Sequence, residues 1–143
     1  MRALLDTSVL IADEPPANVE AAISVASLAE LHFGVIVAED DDERALSTQR
    51  LGAIESTFDP LPVTSDIARE WGRLAAAVSN RGGQPRRRAI DLAIAATANI
   101  QGVPLLTHNP SDFEIIGDLT DARAPSLPEP NEQDAAEPST DAK

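Results

Sequence analysis

The chain has 143 residues, 24 acids against 11 lysines and arginines, a formal net charge of −13 and no cysteine. That length suits one domain with a real core, and the absence of cysteine excludes disulfides, thiolate metal sites and a cysteine nucleophile. No run of about 18 apolar residues marks a membrane span, and no signal-peptide order precedes the first apolar run, so a cytoplasmic protein is expected.

Ala3-Leu4-Leu5 reads as a buried strand and Thr7 onward as the start of a helix. Asp6 then stands at the carboxyl end of the strand, where ligands bind in open α/β sheets. The Thr7 and Ser8 hydroxyls stand beside it. Two readings of Asp6 remain open at this point: a helix N-cap and a ligand in the crevice. Pro15 and Pro16 mark a turn, and residues 21–25 suggest a short strand. Ser27 to Val37 looks helical. Ser27 and Glu30 have capping-box spacing, so Glu30 either reaches back to the Ser27 N–H or points off the first helical turn toward Asp6. The unbroken acidic run Glu39-Asp40-Asp41-Asp42-Glu43 is a solvated helix end or loop. It lacks the spaced ligands and the glycine of an EF-hand.

Glu43 to Ile54 suggests a helix, broken by Asp59-Pro60-Leu61-Pro62, with a short strand over 62–64. Ser65-Asp66 opens a longer helix carrying Ile67, Trp71, Leu74, Ala75 and Val78 at helical spacing. On that stripe Trp71, the only tryptophan, belongs to the core or a dimer interface rather than to a base-stacking platform. Residues 80–88 read as a flexible basic loop ending in Arg86, Arg87 and Arg88. Ala89 to Ile100, ended by Gly102, is a helix of small apolar residues that should be buried nearly all round. Asp91 is the exception, in its first turn. An acid there suits the helix dipole, but such apolar surroundings call for a strong partner.

Residues 103–107 form the second clear strand, which runs into Thr107-His108-Asn109-Pro110-Ser111-Asp112. His108 is a metal ligand, a base or a plain surface residue. A last short strand is expected over 114–119. The ordered domain is expected to span residues 1–121. From Ala122 to Lys143 prolines alternate with acids and small residues, and this 122–143 tail is expected to be disordered. Counted from Asp121, the last stretch holds six acids and two basic residues, a charge of −4, which leaves −9 on the body.

Alternating strands and helices imply a parallel, helix-covered sheet. Asp6 and Asp112 follow strands, and Glu30 and Asp91 sit in first helical turns, so all four acids can meet at one end of that sheet. Crowded carboxylates repel and raise one another's pKa values. They become a sensible arrangement around Mg²⁺ or Mn²⁺, hard cations that prefer oxygen ligands and bind substrate phosphates. Such an ion activates water and neutralises a phosphoryl transition state. A net acidic chain is an unusual nucleic-acid binder, but bound cations invert the local field. The arginines at 86–88 stand just before Asp91, in reach of phosphates. The only lysine is Lys143, so the body has no P-loop lysine and arginine carries any phosphate contact.

Four strings resemble the motifs of PIN-domain proteins in order. They are Leu4-Leu5-Asp6-Thr7-Ser8-Val9-Leu10, the stretch Ser24 to Gly34 with Glu30 before Leu31, the stretch Ala89 to Ala98 with Asp91, and Thr107-His108-Asn109-Pro110-Ser111-Asp112-Phe113. Size and layout are similar to the VapC-type toxins of bacterial toxin–antitoxin pairs. The resemblance covers about residues 2–116 and leaves out the tail. It implies a three-layer α/β/α PIN-like fold around a parallel sheet, and a Mg²⁺- or Mn²⁺-dependent endoribonuclease acting on structured RNA, transfer RNA among its targets. It implies a homodimer, neutralised by a small antitoxin protein. Asp6, Glu30, Asp91 and Asp112 match the family's four acids, and Thr7, Ser8, Thr107 and Asn109 match positions that steady them. A non-cutting RNA- or protein-binding module on the same fold is the alternative, against which the complete set of acids argues. A phosphoacceptor switch lacks its lysine, and the small size disfavours a DNA flap nuclease.

Overall fold

A computed structural model describes residues 1–126. Its centre is a four-stranded, wholly parallel sheet in the order β2-β1-β3-β4, with β1 Arg2–Leu5, β2 Glu20–Ala22, β3 Leu105–Leu106 and β4 Ala122–Arg123. Parallel strands need long crossovers and covered faces. The helices provide both: α1 Thr7–Leu10, α2 Val25–Ile36, α3 Asp41–Thr57, α4 Ser65–Asn80 and α5 Ala89–Gln101.

The two-residue period of a strand splits the apolar run of β1 between two cores. Leu4 packs with Leu105, Ile67, Leu74, Val78 and the buried face of α5. Ala3 and Leu5 point the other way, to Val9, Ile23, Leu31, Leu51, Ile54 and Leu106. The sheet is thus sandwiched between α4 and α5 on one face and α1, α3 and most of α2 on the other. Residues Leu92 to Ala98 of α5 are all buried, as the small apolar composition requires, and Gly102 ends the helix at φ +68. Trp71 packs against the α4–α5 core, half-buried.

Several expectations need correcting. Ser24, not Ser27, caps α2, accepting from the Ala26 N–H at 3.0 Å. The helix therefore begins at Val25, and Glu30 sits in its second turn. Residues 62–64 form no strand. Leu61 makes a single bridge to Ser24, because the flanking Pro60 and Pro62 lack N–H donors. The expected loop over 80–88 ends instead in an ordered 3-10 turn, Pro85–Arg88, that leads straight into α5. The strand expected over 114–119 is a second 3-10 helix, Pro110–Ile116. Its buried residues, Phe113 and Ile116, are three apart, which is the 3-10 period, and Pro110 suits its first turn. The last strand is Ala122–Arg123, so the sheet continues past the domain boundary expected at 121. The remainder of the tail, 127–143, lies outside the described residues. The acidic run behaves as expected: Asp40 caps α3, and Asp41, Asp42 and Glu43 occupy its first turn.

Candidate active site

The strand order fixes where a site can open. The chain leaves β1 toward β2 and returns on the other side of β1 as β3. The loops after β1 and β3 diverge at this switch point and leave a crevice at the carboxyl ends of the strands. Asp6 follows β1 and Thr107 follows β3.

Asp6 is only 6% exposed. It occupies the N-cap position of α1, but its side chain makes no capping bond. Instead Oδ2 accepts from Thr107 Oγ1 at 2.8 Å and from Ser8 Oγ at 2.9 Å. Each hydroxyl is held in turn by the loop after β3. Ser8 Oγ accepts from the His108 N–H and Thr107 Oγ1 from the Asn109 N–H, both at 3.0 Å. Of the two readings open in the sequence, the side-chain cap is not formed, and the carboxylate is held instead by the hydroxyls of Thr107 and Ser8. Among the described residues no hydrogen-bond donor reaches its Oδ1.

Glu30 is likewise not a capping-box acid. Its Oε1 accepts from Thr7 Oγ1 at 2.6 Å, and that hydroxyl lies 3.2 Å from Ser27 Oγ. α1 and α2 thereby fix the Glu30 carboxylate beside Asp6. Ser27, fully buried, is a supporting residue that the sequence reading assigned to a cap. Its signal was its place one turn before Glu30, on the same helix face.

Asp91 enters from the first turn of α5, half-buried. Its carboxyl is pushed up to about 6 by burial first, then by the negative charges of Asp6, Glu30 and Asp112, against a smaller opposing pull from Arg88. Asp112 is exposed on the second 3-10 helix, and its main-chain carbonyl accepts from Arg88 Nη1. That contact gives Arg88 a structural role which a run of three arginines does not reveal. Asn109 and His108 are exposed and reach the cluster through their backbone N–H groups, and Arg86 and Arg87 are exposed on the basic turn.

The four acids share one field without forming a closed cage. Among the described residues no three His, Asp or Glu side chains gather tightly enough to hold an ion alone. The donor set still fits a hard divalent cation. It is all oxygen, it is short of positive partners, and its openness suits an ion that keeps several waters and takes one or two carboxylates directly.

Residues 3–119 match the PIN domain family. Ribonuclease VapC5 of Mycobacterium tuberculosis (strain ATCC 25618 / H37Rv) is 40% identical over 119 residues, covering 77% of this chain and 84% of that protein. Ribonuclease VapC8 of the same strain is 34% identical over 103 residues, covering 68% and 91%. Among solved structures, VapBC-5 from M. tuberculosis, a member of the VapBC family of toxin–antitoxin systems, superposes with a TM-score of 0.73 at 32% identity, over 88% of this chain and 98% of that one. VapBC-1 from nontypeable Haemophilus influenzae shares the fold, with a TM-score of 0.66 at 22% identity over 87% and 98%.

Proposed function

The chain belongs to the PIN-domain family and, within it, to the VapC ribonucleases, and on that footing we propose that it is a divalent-metal-dependent endoribonuclease acting as the toxin of a toxin–antitoxin pair. What supports the metal dependence is the all-oxygen donor set: an Asp6 carboxylate held through one oxygen by Thr107 and Ser8, a Glu30 carboxylate held by Thr7, and Asp91, whose carboxyl is pushed up by burial and then by the charges of Asp6, Glu30 and Asp112. Asp6, Glu30, Asp91 and Asp112 are the residues that would hold Mg²⁺ or Mn²⁺. Such an ion, when bound, supplies a Lewis acid that activates water and neutralises charge on the scissile phosphate.

The chain's own residues do the rest. Thr107 and Ser8 fix one oxygen of Asp6 and leave the other toward the crevice. Thr7 holds one oxygen of Glu30, and its hydroxyl in turn lies against Ser27 Oγ. Asp91, with its raised proton affinity, is the acid most able to take up or release a proton near neutral pH. The basic turn 86–88 supplies phosphate attraction that the net acidic body lacks. The substrate is an RNA phosphodiester in structured RNA such as transfer RNA, in the cytoplasm. Among the described residues no helix is long and apolar enough to cross a membrane.

An antitoxin partner completes the reading. Phe33, Ile36 and Leu46 on α2 and α3 are 66%, 74% and 56% exposed, an apolar surface of the kind a partner covers. Pairing of two copies is part of the same reading, checked by mass in solution.

Mn²⁺ titrated calorimetrically into wild type and into Asp6→Asn and Asp91→Asn, followed by incubation with transfer RNA, tests the site and the reaction together. Binding lost in both variants, with metal-dependent cutting by wild type alone, is expected. A wild type that binds no metal while holding RNA uncut would instead make this a binding module.

A further inference from the structure

Beside the four acids lies a cleft of about 540 Å³, walled by the basic turn on one side and the second 3-10 helix on the other. Asp91 and Asp112 are part of its lining, so it opens directly onto the site. Its walls are fixed by close contacts. A Cβ at Gly83 would fall 2.7 Å from Ile115 Cδ1 and from Val78 Cγ1, so the two walls approach this closely only with glycine there. Arg81 donates to the Ile115 carbonyl at 2.8 Å and pairs with Asp118 at 2.7 Å. Arg88 ties down the other end through the Asp112 carbonyl.

The three arginines of the turn are therefore not equivalent. Consecutive side chains of a 3-10 helix point about 120° apart. Arg88 is committed to Asp112. Arg87 is exposed, lines the cleft and, among the described residues, pairs with no acid, while Arg86 lies outside the lining. We propose that this cleft seats the nucleotide next to the RNA bond that is cut, with Arg87 holding its phosphate and Arg88 acting as a positioning residue for Asp112. The inference rests on the ribonuclease reading and refines it. The volume lies within the roughly 300–1,000 Å³ of small-ligand sites. Ile115 offers an apolar surface for a base, and Gln84 and Ser111 offer donors and acceptors for its edge. Glu114 on the same rim discourages a second phosphate there.

The test uses the full chain. Binding of a short fluorescent RNA oligonucleotide is measured in chelator across a salt series, and steady-state cleavage is measured with Mn²⁺. Arg69→Ala, which removes a surface charge from α4, sets the effect of losing one charge anywhere, and thermal melts verify folding. Arg87→Ala should flatten the log–log salt dependence by about 0.7, the value for one contact to a single strand, and raise KM about tenfold with kcat kept. Arg88→Ala should lower kcat at similar KM, and Arg88→Lys, which keeps one donor for the Asp112 carbonyl, should recover most of it. Equal slope losses in Arg86→Ala and Arg87→Ala would mean diffuse charge and overturn the seat. An Arg88→Ala variant that shifts only KM would overturn the positioning role. A wild type that neither binds nor cuts RNA would overturn the ribonuclease reading itself, and the cleft assignment with it.

Discussion

Glu70 on α4 and Asp91 on α5 are both partly buried acids on the same side of the sheet, yet their surroundings are opposite. Glu70 sits near the amino ends of the strands. Arg73 clasps it with two bonds of 2.6 and 2.7 Å, and Asn99 Nδ2 adds a third at 2.7 Å while also reaching the Leu119 carbonyl. The arginine first, and the amide after burial's smaller opposing effect, hold the Glu70 carboxyl below the usual range. Asp91 sits about 12 Å away along α5 from Asn99, by the 1.5 Å rise per residue. It has other acids around it in place of donors, and its carboxyl is pushed the other way. A carboxylate whose partners are all in the chain braces the fold. A carboxylate whose neighbours repel it is completed only from outside.

The sharpest way to break this contrast is to neutralise each acid. Asp91→Asn should lower cleavage by more than about 100-fold, beyond the ceiling for losing an outer partner of a metal site. The same change should stabilise the metal-free protein at pH 7. A shift from 3.8 to about 6 corresponds to about 3 kcal/mol at most, and screening at a half-buried site reduces that to about 1–2 kcal/mol. Glu70→Ala should do the reverse, losing about 1–2 kcal/mol because Arg73 loses its acceptor and Asn99 one of its acceptors, the Leu119 carbonyl remaining, with cleavage intact below the melting temperature. Parallel melts and rate measurements on the two variants decide it. A Glu70→Ala protein that folds but does not cut would erase the distinction.

Thr7→Val sharpens the comparison from inside the site. It removes the 2.6 Å bond to Glu30 but no acid, and should reduce Mn²⁺ affinity about tenfold with a stability loss of about 1 kcal/mol. Calorimetry and melting give both figures.

The smallest effect is the dependence on pH. Asp91 binds its proton more tightly folded than unfolded. Its contribution to stability is therefore full below 3.8 and is lost as pH rises toward about 6. Glu70, with its lowered value, contributes above its ordinary 4.5 and loses that contribution as pH falls. In chelator, the difference in melting temperature between Asp91→Asn and wild type should therefore grow from acid pH to neutrality, and Mn²⁺ should close it. A constant difference would mean that Asp91 does not titrate in this window.

The parallel, helix-covered sheet was legible in the alternation of strands and helices, and so were the positions of several polar residues at its strand ends. Asp6, Thr7, Asp91 and Thr107 lie where strand-end and helix-start patterns put them, because polar residues stand just where apolar runs stop, whereas Glu30 falls one turn later in α2 than its capping-box spacing implied. What escaped was short or had an unfamiliar period. The three-residue spacing of Phe113 and Ile116 is not that of a strand or an α-helix. β4 is two residues long, and its pairing with β3 is set by tertiary contacts rather than by its own composition. The capping-box spacing at Ser27 and Glu30 was real as spacing, but Ser24 lay nearer the true helix start. Arg88 and Arg81 act through main-chain carbonyls, and no residue pattern marks the acceptor.

The bond from Thr107 to Asp6 spans 101 residues of chain, and β3 cannot take its place beside β1 until almost the whole domain exists. Asp6 is synthesised 101 residues before Thr107. A nascent chain, or a fragment stopping before β3, therefore carries the first carboxylate with no completed centre around it. Contacts of such range are slow to form. The hydroxyl that holds Asp6 is thus in place only once β3 has docked beside β1.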